Sequence, residues 1–308
     1  MPNNDDRKTL CDEIQRLKRE KDALILAHYY QRLDVQLIAD IYGDSFELSK
    51  KARLSDKKLA IFCGVSFMAE SVKILNPEKT VLLPEPSAGC RMADMVTAAD
   101  VVALREKYPD AAVVCYVNSS AETKAVSDIC CTSSNAVNVV GSLKNKQIIF
   151  IPDKNLGAYV AKFLPDKEFI LHSGWCPIHH GITTDEVKAA KNEHPGALVT
   201  VHPECEPEVS ALADYVGSTS QMIDFCEKSD AKEFIVGTEV GVVERLNYYN
   251  PDKKFHLLTP HTVCDDMKRT TLESVLAALR GEVDEVRLTP GQIERARLPL
   301  ERMMQINT

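Results

Sequence analysis

Residues 23–28 read ALILAH, residues 113–116 read VVCY and residues 197–202 read ALVTVH. Each is a short, continuous apolar run that closes on a polar residue: His28, Tyr116 and His202, separated by steps of 88 and 86. The same steps recur outward from these runs. GDS, CTSS and GSTS place Ser45, Ser133 and Thr219 at 88 and 86, and LAIFCG, QIIFIP and EFIVG end at Gly64, Pro152 and Gly237, at 88 and 85. Behind a fourth set of runs (TVLLP, FILH, FHLLT) stand Cys90, Cys176 and Cys264, at 86 and 88. Thr97, Thr184 and Thr271 follow at two steps of 87, each where a helix is expected to start. Five marker sets sharing one period define an internal repeat over about residues 23–280.

Within each repeat the order is strand, loop, helix, strand. The runs are rich in Val, Ile and Leu and do not alternate with polar residues, as expected of parallel strands covered on both faces. Helical spacing appears between them at Phe67, Val72 and Leu75, at Leu156, Tyr159, Val160 and Phe163, and at Val240, Val243 and Leu246. The predicted fold is α/β: three pseudo-threefold-related α/β/α sandwich units, each with a small parallel sheet of about four strands. The expected division is 1–108 for the first repeat with an N-terminal helix marked by Leu10, Ile14 and Leu17, 109–194 for the second, and 195–308 for the third with a C-terminal tail. That tail, EVDEVRLTPGQIERARL, reads as an added extended piece and a helix.

Composition narrows the function. The chain has 308 residues, 44% of them hydrophobic, and a formal net charge of −8. A surface of that sign repels phosphate backbones, which argues against nucleic acid or an anionic membrane as a partner. MPNNDDRK opens the chain without an apolar run behind it, and no stretch approaches the ~18 apolar residues of a membrane span. The expected location is therefore the cytoplasm, where ten cysteines should be thiols, core residues or metal ligands.

In parallel α/β units, ligands bind where strand carboxyl ends lead into helix N-termini. Equivalent loops of three units can meet there around one centre. Cys90, Cys176 and Cys264 share little context (AGCRMAD, GWCPIH, TVCDDMK) beyond their place in the repeat. Three thiolates about a threefold axis suit a [4Fe–4S] cluster held at three corners, with the fourth iron open to substrate. Zinc on three cysteines is the less apt alternative. Cys63 and Cys115 are expected in the core, Cys11 and Cys226 in helices, Cys205 in a loop, and adjacent Cys130 and Cys131 chelate poorly. His28 with Tyr30, Tyr116 with Asn118 and His202 with Glu204 are alternate residues of extended segments, so each pair can face one pocket and move protons. Ser45, Ser133 and Thr219 read as helix N-caps, a position that also binds carboxylate or phosphate, with Asp44 supporting the first turn. His179 and His180 read as groups that back the ligands or lie at the surface, rather than as ligands themselves.

A further set of motifs carries a resemblance. AHYYQ (27–31), GDS (43–45), CGVSFMAE (63–70), GCRMADM (89–95), YVNSSAE (116–122), CTSSNA (131–136), WCPIH (175–179), HPEC (202–205), GSTSQM (217–222) and CDDMKRTTLE (264–273) run in order over nearly the whole chain. The sequence resembles the quinolinate synthases, the iron–sulfur enzymes of NAD biosynthesis. The resemblance implies condensation of iminoaspartate with dihydroxyacetone phosphate to quinolinate, with loss of phosphate and water. It assigns Cys90, Cys176 and Cys264 to a [4Fe–4S] cluster whose open iron is a Lewis acid, and Tyr30 and Glu204 to acid–base work assisted by His28 and His202. It further implies that Tyr116 and Asn118 position the intermediate, while Ser45, Ser133 and Thr219 take carboxylates and phosphate. An aspartate oxidase that supplies the imine is the macromolecule with which a transient contact is in question. The Cys-x-x-Cys-x-x-Cys run that some members carry near the C-terminus is absent here. Three competitors stay open at this point: another cluster-dependent hydro-lyase, a non-catalytic iron–sulfur carrier or sensor, and a plain α/β protein with buried thiols.

Overall fold

The computed structural model describes residues 4–306; the outermost residues of the first and last expected units lie outside that span. Twelve strands form three four-stranded sheets, all parallel. The first holds β1 (Ala23–His28), β2 (Ile41–Gly43), β3 (Leu59–Cys63) and β4 (Thr80–Leu82). The second holds β5 (Ala112–Tyr116), β6 (Ile129–Cys131), β7 (Gln147–Ile151) and β8 (Glu168–Leu171). The third holds β9 (Leu198–Val201), β10 (Tyr215–Val216), β11 (Glu233–Gly237) and β12 (Lys254–Leu257). In every sheet the spatial order is second, first, third, fourth strand. The three sheets, each flanked by helices, are the three α/β/α units of the repeat.

The absence of alternation in the apolar runs has its expected cause. All six residues of β1 and all five of β5 are buried, because helices lie on both faces. On the first sheet, Leu24, Leu26, Ala60 and Phe62 pack against Leu48, Phe67, Met68 and Val72 of the helices Ser45–Leu54 and Ser66–Leu75. The opposite face, with Ile25, Ala27, Ile61 and Cys63, is covered by Ile14 of the helix Asn4–Glu20 and by Leu272, Val275 and Leu279 of the helix Leu272–Arg280. The last helix of the repeat therefore closes back on the first sheet, while its counterparts Ala98–Lys107 and Thr184–Glu193 pack through Val101 and Val187 with residues of the second and third sheets. The tail ends in the helix Pro290–Gln305, which crosses back to pack on the helices Ala121–Ala125 and Ser66–Leu75 and on β6.

Two sets of charged residues hold each unit in the same way. The carboxylates of Asp40, Asp128 and Asp214 accept the N–H of Ile25, Val113 and Val199 at 2.9, 2.7 and 2.7 Å, pinning the first strand of each sheet. Lys79, Lys167 and Lys253 donate to terminal carbonyls after the helices Ser45–Leu54, Ala136–Ser142 and Thr219–Lys228, including those of Ser55, Leu143 and Ser229. A cation there satisfies orphan carbonyls and complements the negative end of the helix. Gly241 sets the approach of two units. A Cβ at this position would lie 2.8 Å from the Gln31 carbonyl and 2.9 Å from that of Tyr29, so only glycine lets the helix Val240–Tyr249 reach the loop carrying Tyr30.

Helix starts differ in detail from the expectation. Thr97 and Thr271 are N-caps with capping boxes, but Thr183 rather than Thr184 caps its helix. Ser45 and Thr219 sit one residue inside their helices, which are capped by Asp44 and Ser218, and Ser133 precedes the helix that starts after Asn135. Asp44 takes the capping role because its carboxylate reaches the N–H groups of Phe46 and Glu47. The hydroxyls at 45, 133 and 219 are thereby released from the first-turn N–H groups.

Candidate active site

All three sheets end on one cavity. Tyr30, Asn118, Ser45, Ser133, Thr219, His28, Tyr116, His202, Glu204, Cys90, Cys176 and Cys264 all line it, with Asp44, Met92 and Met267 among their neighbours. The space open to the centre of a water-sized sphere is about 70 Å³. His28 and Tyr116 are the last residues of β1 and β5, and His202 directly follows β9. In two units the histidine fixes the turn behind it: His28 Nδ1 accepts the N–H of Tyr30 at 3.1 Å, and His202 Nδ1 accepts that of Glu204 at 3.3 Å.

A chain of hydrogen bonds joins the units across the cavity wall. The Tyr30 hydroxyl lies 2.9 Å from Thr238 Oγ1 and accepts from Thr219 Oγ1 at 3.0 Å. Thr238 Oγ1 is 2.8 Å from His179 Nε2, and His179 Nδ1 is 2.6 Å from Glu204 Oε2. Glu204 also accepts from Tyr116, whose hydroxyl bonds Ser133. His179 stacks on His202 with ring centroids 4.4 Å apart. Burial opposes charge on Glu204, but His202, His179 and the Tyr116 hydroxyl hold its carboxyl well below the usual carboxylate range. Burial, reinforced by that carboxylate, pushes both Tyr30 and Tyr116 well above the ordinary phenol range. The wall therefore pairs a fixed carboxylate with two protonated phenols.

The histidines give this arrangement a measurable pH signature. Burial lowers His28 and His202 to about 3, with Lys268 adding to the effect at His28. In the unfolded chain both titrate near ~6.5. Below that pH the unfolded chain binds more protons than the folded one, so stability is lost as pH falls from ~6.5 towards the folded value, by at most ~1.4 kcal/mol per pH unit for each histidine. Urea midpoints are expected to drop between pH 7 and pH 5, and to drop less steeply in a His28→Asn/His202→Asn variant. Equal slopes in the two proteins would assign the acid sensitivity to other groups.

Each cysteine opens a tight turn. Cys176 and Cys264 are the N-caps of the short helices Pro177–His180 and Asp265–Lys268, and the Cys90 carbonyl accepts the N–H of Asp94. Buried carboxylates carry two of the three loops. Asp153 caps the helix Lys154–Ala161 through Leu156 N–H and accepts the N–H of Cys176 at 2.9 Å. Glu239, matched in the third unit, accepts the N–H groups of Gly241 at 2.7 Å and of Cys264 at 3.2 Å, and pairs with Lys268 at 2.9 Å. In the first unit a backbone bond does this work, from Ser66 N–H to the Ala88 carbonyl at 2.9 Å.

Burial raises the thiols of Cys90 to about 12 and Cys264 to about 11, and lifts Cys176 too, while backbone N–H groups of Ala93, Met92, His179 and Met267 favour the sulfur anions. Such thiols deprotonate when a cation takes the proton's place. The three do not form a set within 4.8 Å of one another, among the described residues. A single zinc with ~2.3 Å bonds needs its sulfurs roughly 3.8 Å apart. Three half-buried soft donors on separate loops, not all within 4.8 Å of one another, fit a polynuclear iron–sulfur group better than one zinc ion.

His179 takes the backing place that was one of its two expected positions. It is fully buried at the centre of the hydrogen-bond chain, and its ligand atom lies within 4.8 Å of those of Cys176 and Glu204; His180 is half-buried beside Glu206. Its position three residues after Cys176, on a turn begun by Pro177, was the available signal. Thr238, Asp153 and Glu239 also belong to the site and follow directly on the third-strand markers. Cys63, Cys115, Cys130, Cys131, Cys205 and Cys226 are buried core residues and do not line the cavity.

Three fused α/β units place thiols, phenols, imidazoles and a carboxylate around one cavity at their join, the arrangement of an enzyme. The model of the quinolinate synthetase A protein family matches residues 12–305. A quinolinate synthase of Caldicellulosiruptor saccharolyticus is 53% identical over 295 residues, covering 96% of this chain and 97% of its own. One from Geobacter metallireducens is 51% identical over 298 residues, covering 97% and 98%, and one from Aquifex aeolicus is 49% identical over 307 residues, covering 97% and 95%. The chain belongs to the quinolinate synthase family. No helix among its described residues is long and apolar enough to cross a membrane.

Proposed function

We propose that the chain condenses iminoaspartate with dihydroxyacetone phosphate to quinolinate, releasing one phosphate and two waters, in the cytoplasmic de novo synthesis of NAD. The observation that carries this reading is the meeting of Cys90, Cys176 and Cys264 with Tyr30, Glu204 and the hydroxyls of Ser45, Ser133 and Thr219 around one cavity.

Cys90, Cys176 and Cys264 would hold a [4Fe–4S] cluster, which when bound supplies an open iron as a Lewis acid towards a substrate oxygen. The remaining work falls to the chain. Glu204, fixed as a carboxylate, accepts a proton from carbon next to the imine or carbonyl. Tyr30, kept protonated and held by Thr219 and Thr238, donates to a leaving hydroxyl. His28 and His202, neutral through burial, contact substrate and offer ring nitrogens without adding charge. Ser45, Ser133 and Thr219 bind the carboxylates and the phosphate. Asn118 Oδ1 is buried without a hydrogen-bond partner in the protein and lines the cavity, so it suits an N–H or O–H of the intermediate that Tyr116 also positions.

The test is anaerobic purification with iron and sulfide counted per chain and quinolinate assayed in the same sample. About four of each together with quinolinate are expected, the stoichiometry of a cubane. Iron without quinolinate moves the reading to another hydro-lyase, and no iron from cluster-replete cells removes the metal from it.

A further inference from the structure

A second cluster of ligating side chains lies on the outer part of the third unit and has no place in the chemistry above. His194, Glu233 and His256 each offer a donor atom, and these atoms lie within 4.8 Å of one another. His256 Nε2 is 2.8 Å from Glu233 Oε1, and His194 Nδ1 is 3.8 Å from the same oxygen. The two imidazoles stack face to face, with centroids 3.6 Å apart and planes at 15°.

Three different elements supply the group. His194 is the C-cap of the helix Thr184–Glu193, Glu233 opens β11, and His256 lies on the edge strand β12. The register pairs Glu233 with Lys254 and Ile235 with His256, which puts Glu233 and His256 on one face of the sheet. The C-terminal end of the helix brings partial negative charge to the same spot. The far nitrogen of His194, Nε2, lies 3.9 Å from the Glu193 carboxylate, which adds negative charge beside the group without a hydrogen bond to it. All three donors are partly exposed, so an ion can enter from solvent.

We propose that His194, Glu233 and His256 bind one zinc-class divalent cation, which ties the edge strand β12 to the end of the helix Thr184–Glu193. Two imidazole nitrogens and one carboxylate oxygen select zinc and its neighbours over magnesium, and water completes the coordination.

The test is calorimetric titration of Zn²⁺ into the anaerobic, iron-loaded enzyme, wild type against His194→Ala/His256→Ala. Wild type should take up one more zinc per chain than the double variant, and Glu233→Gln should weaken that binding at least ~10-fold, the loss that even an outer partner's removal can cause. Mg²⁺ should not compete. Zinc should raise the melting temperature of wild type and not of the double variant. Iron content and quinolinate formation should be equal in all three proteins, which confirms folding and keeps the result independent of the central site. Equal zinc uptake by wild type and the double variant overturns the proposal. So does an anomalous zinc signal beside Cys176, His179 and Glu204 in place of this group.

Discussion

Cys176→Ala is expected to yield a folded chain that retains no iron and makes no quinolinate. The substitution removes one of three soft donors, and no cysteine outside that set reaches the cavity as a substitute. It leaves the local frame in place, because Asp153 holds this loop through the backbone N–H of residue 176, not through the thiol. Circular dichroism should therefore stay close to wild type while iron per chain falls to background, and the melting temperature should match that of iron-free wild type. Cys130→Ala is the matching control. Cys130 is buried in β6, so its loss costs stability through the cavity it leaves, while iron should be retained. Normal iron in Cys176→Ala would take Cys176 out of the ligand set.

Glu204→Gln is expected to lower kcat by ~10²–10⁴-fold, the usual size of a lost general base, with the cluster's absorption unchanged. The side chain keeps its shape, so the change isolates the charge. In the native site the carboxylate takes hydrogen bonds from His179 and Tyr116. An amide places an N–H₂ group where one of these donors points, which breaks the chain leading through Thr238 to Tyr30. Both the base and the orientation of the phenol are disturbed, so the loss should fall on kcat more than on KM. A kcat within about twofold of wild type would move the proton-accepting role elsewhere.

The repeat was legible because its markers are the residues least free to move: strand ends, turns and loop cysteines. His28, Tyr116 and His202 could be aligned by counting, and the alignment brought twelve residues to one cavity wall. Counting did not separate chemistry from framework. Asp40, Asp128 and Asp214 recur at 88 and 86, as do Lys79, Lys167 and Lys253, yet they pin strands and helix ends far from the cavity. Only three-dimensional placement distinguishes such a lysine from a substrate-binding one. His179 could be placed only loosely, for the opposite reason. It occurs in one unit only, so no period marks it, and its burial depends on Glu204 and Thr238 arriving from the next unit. Thr219 was found with the wrong local role, since Ser218 one residue earlier is the better-placed cap and leaves Thr219 free for Tyr30.

The closure of the helix Leu272–Arg280 onto the first sheet has a bearing on how the molecule is made. Synthesis delivers Ile25, Ala27, Ile61 and Cys63 roughly two hundred residues before the helix that covers them. At ~5–20 residues per second, that greasy face waits some 10–40 s on the ribosome with the helices Asn4–Glu20 and Leu33–Ile38 for shelter. Cys264 emerges at nearly the same late moment, so the third thiol and the lid of the first sheet arrive together. A nascent chain halted after Cys176 is thus a sticky fragment needing chaperone custody, and loading of the proposed cluster would follow translation.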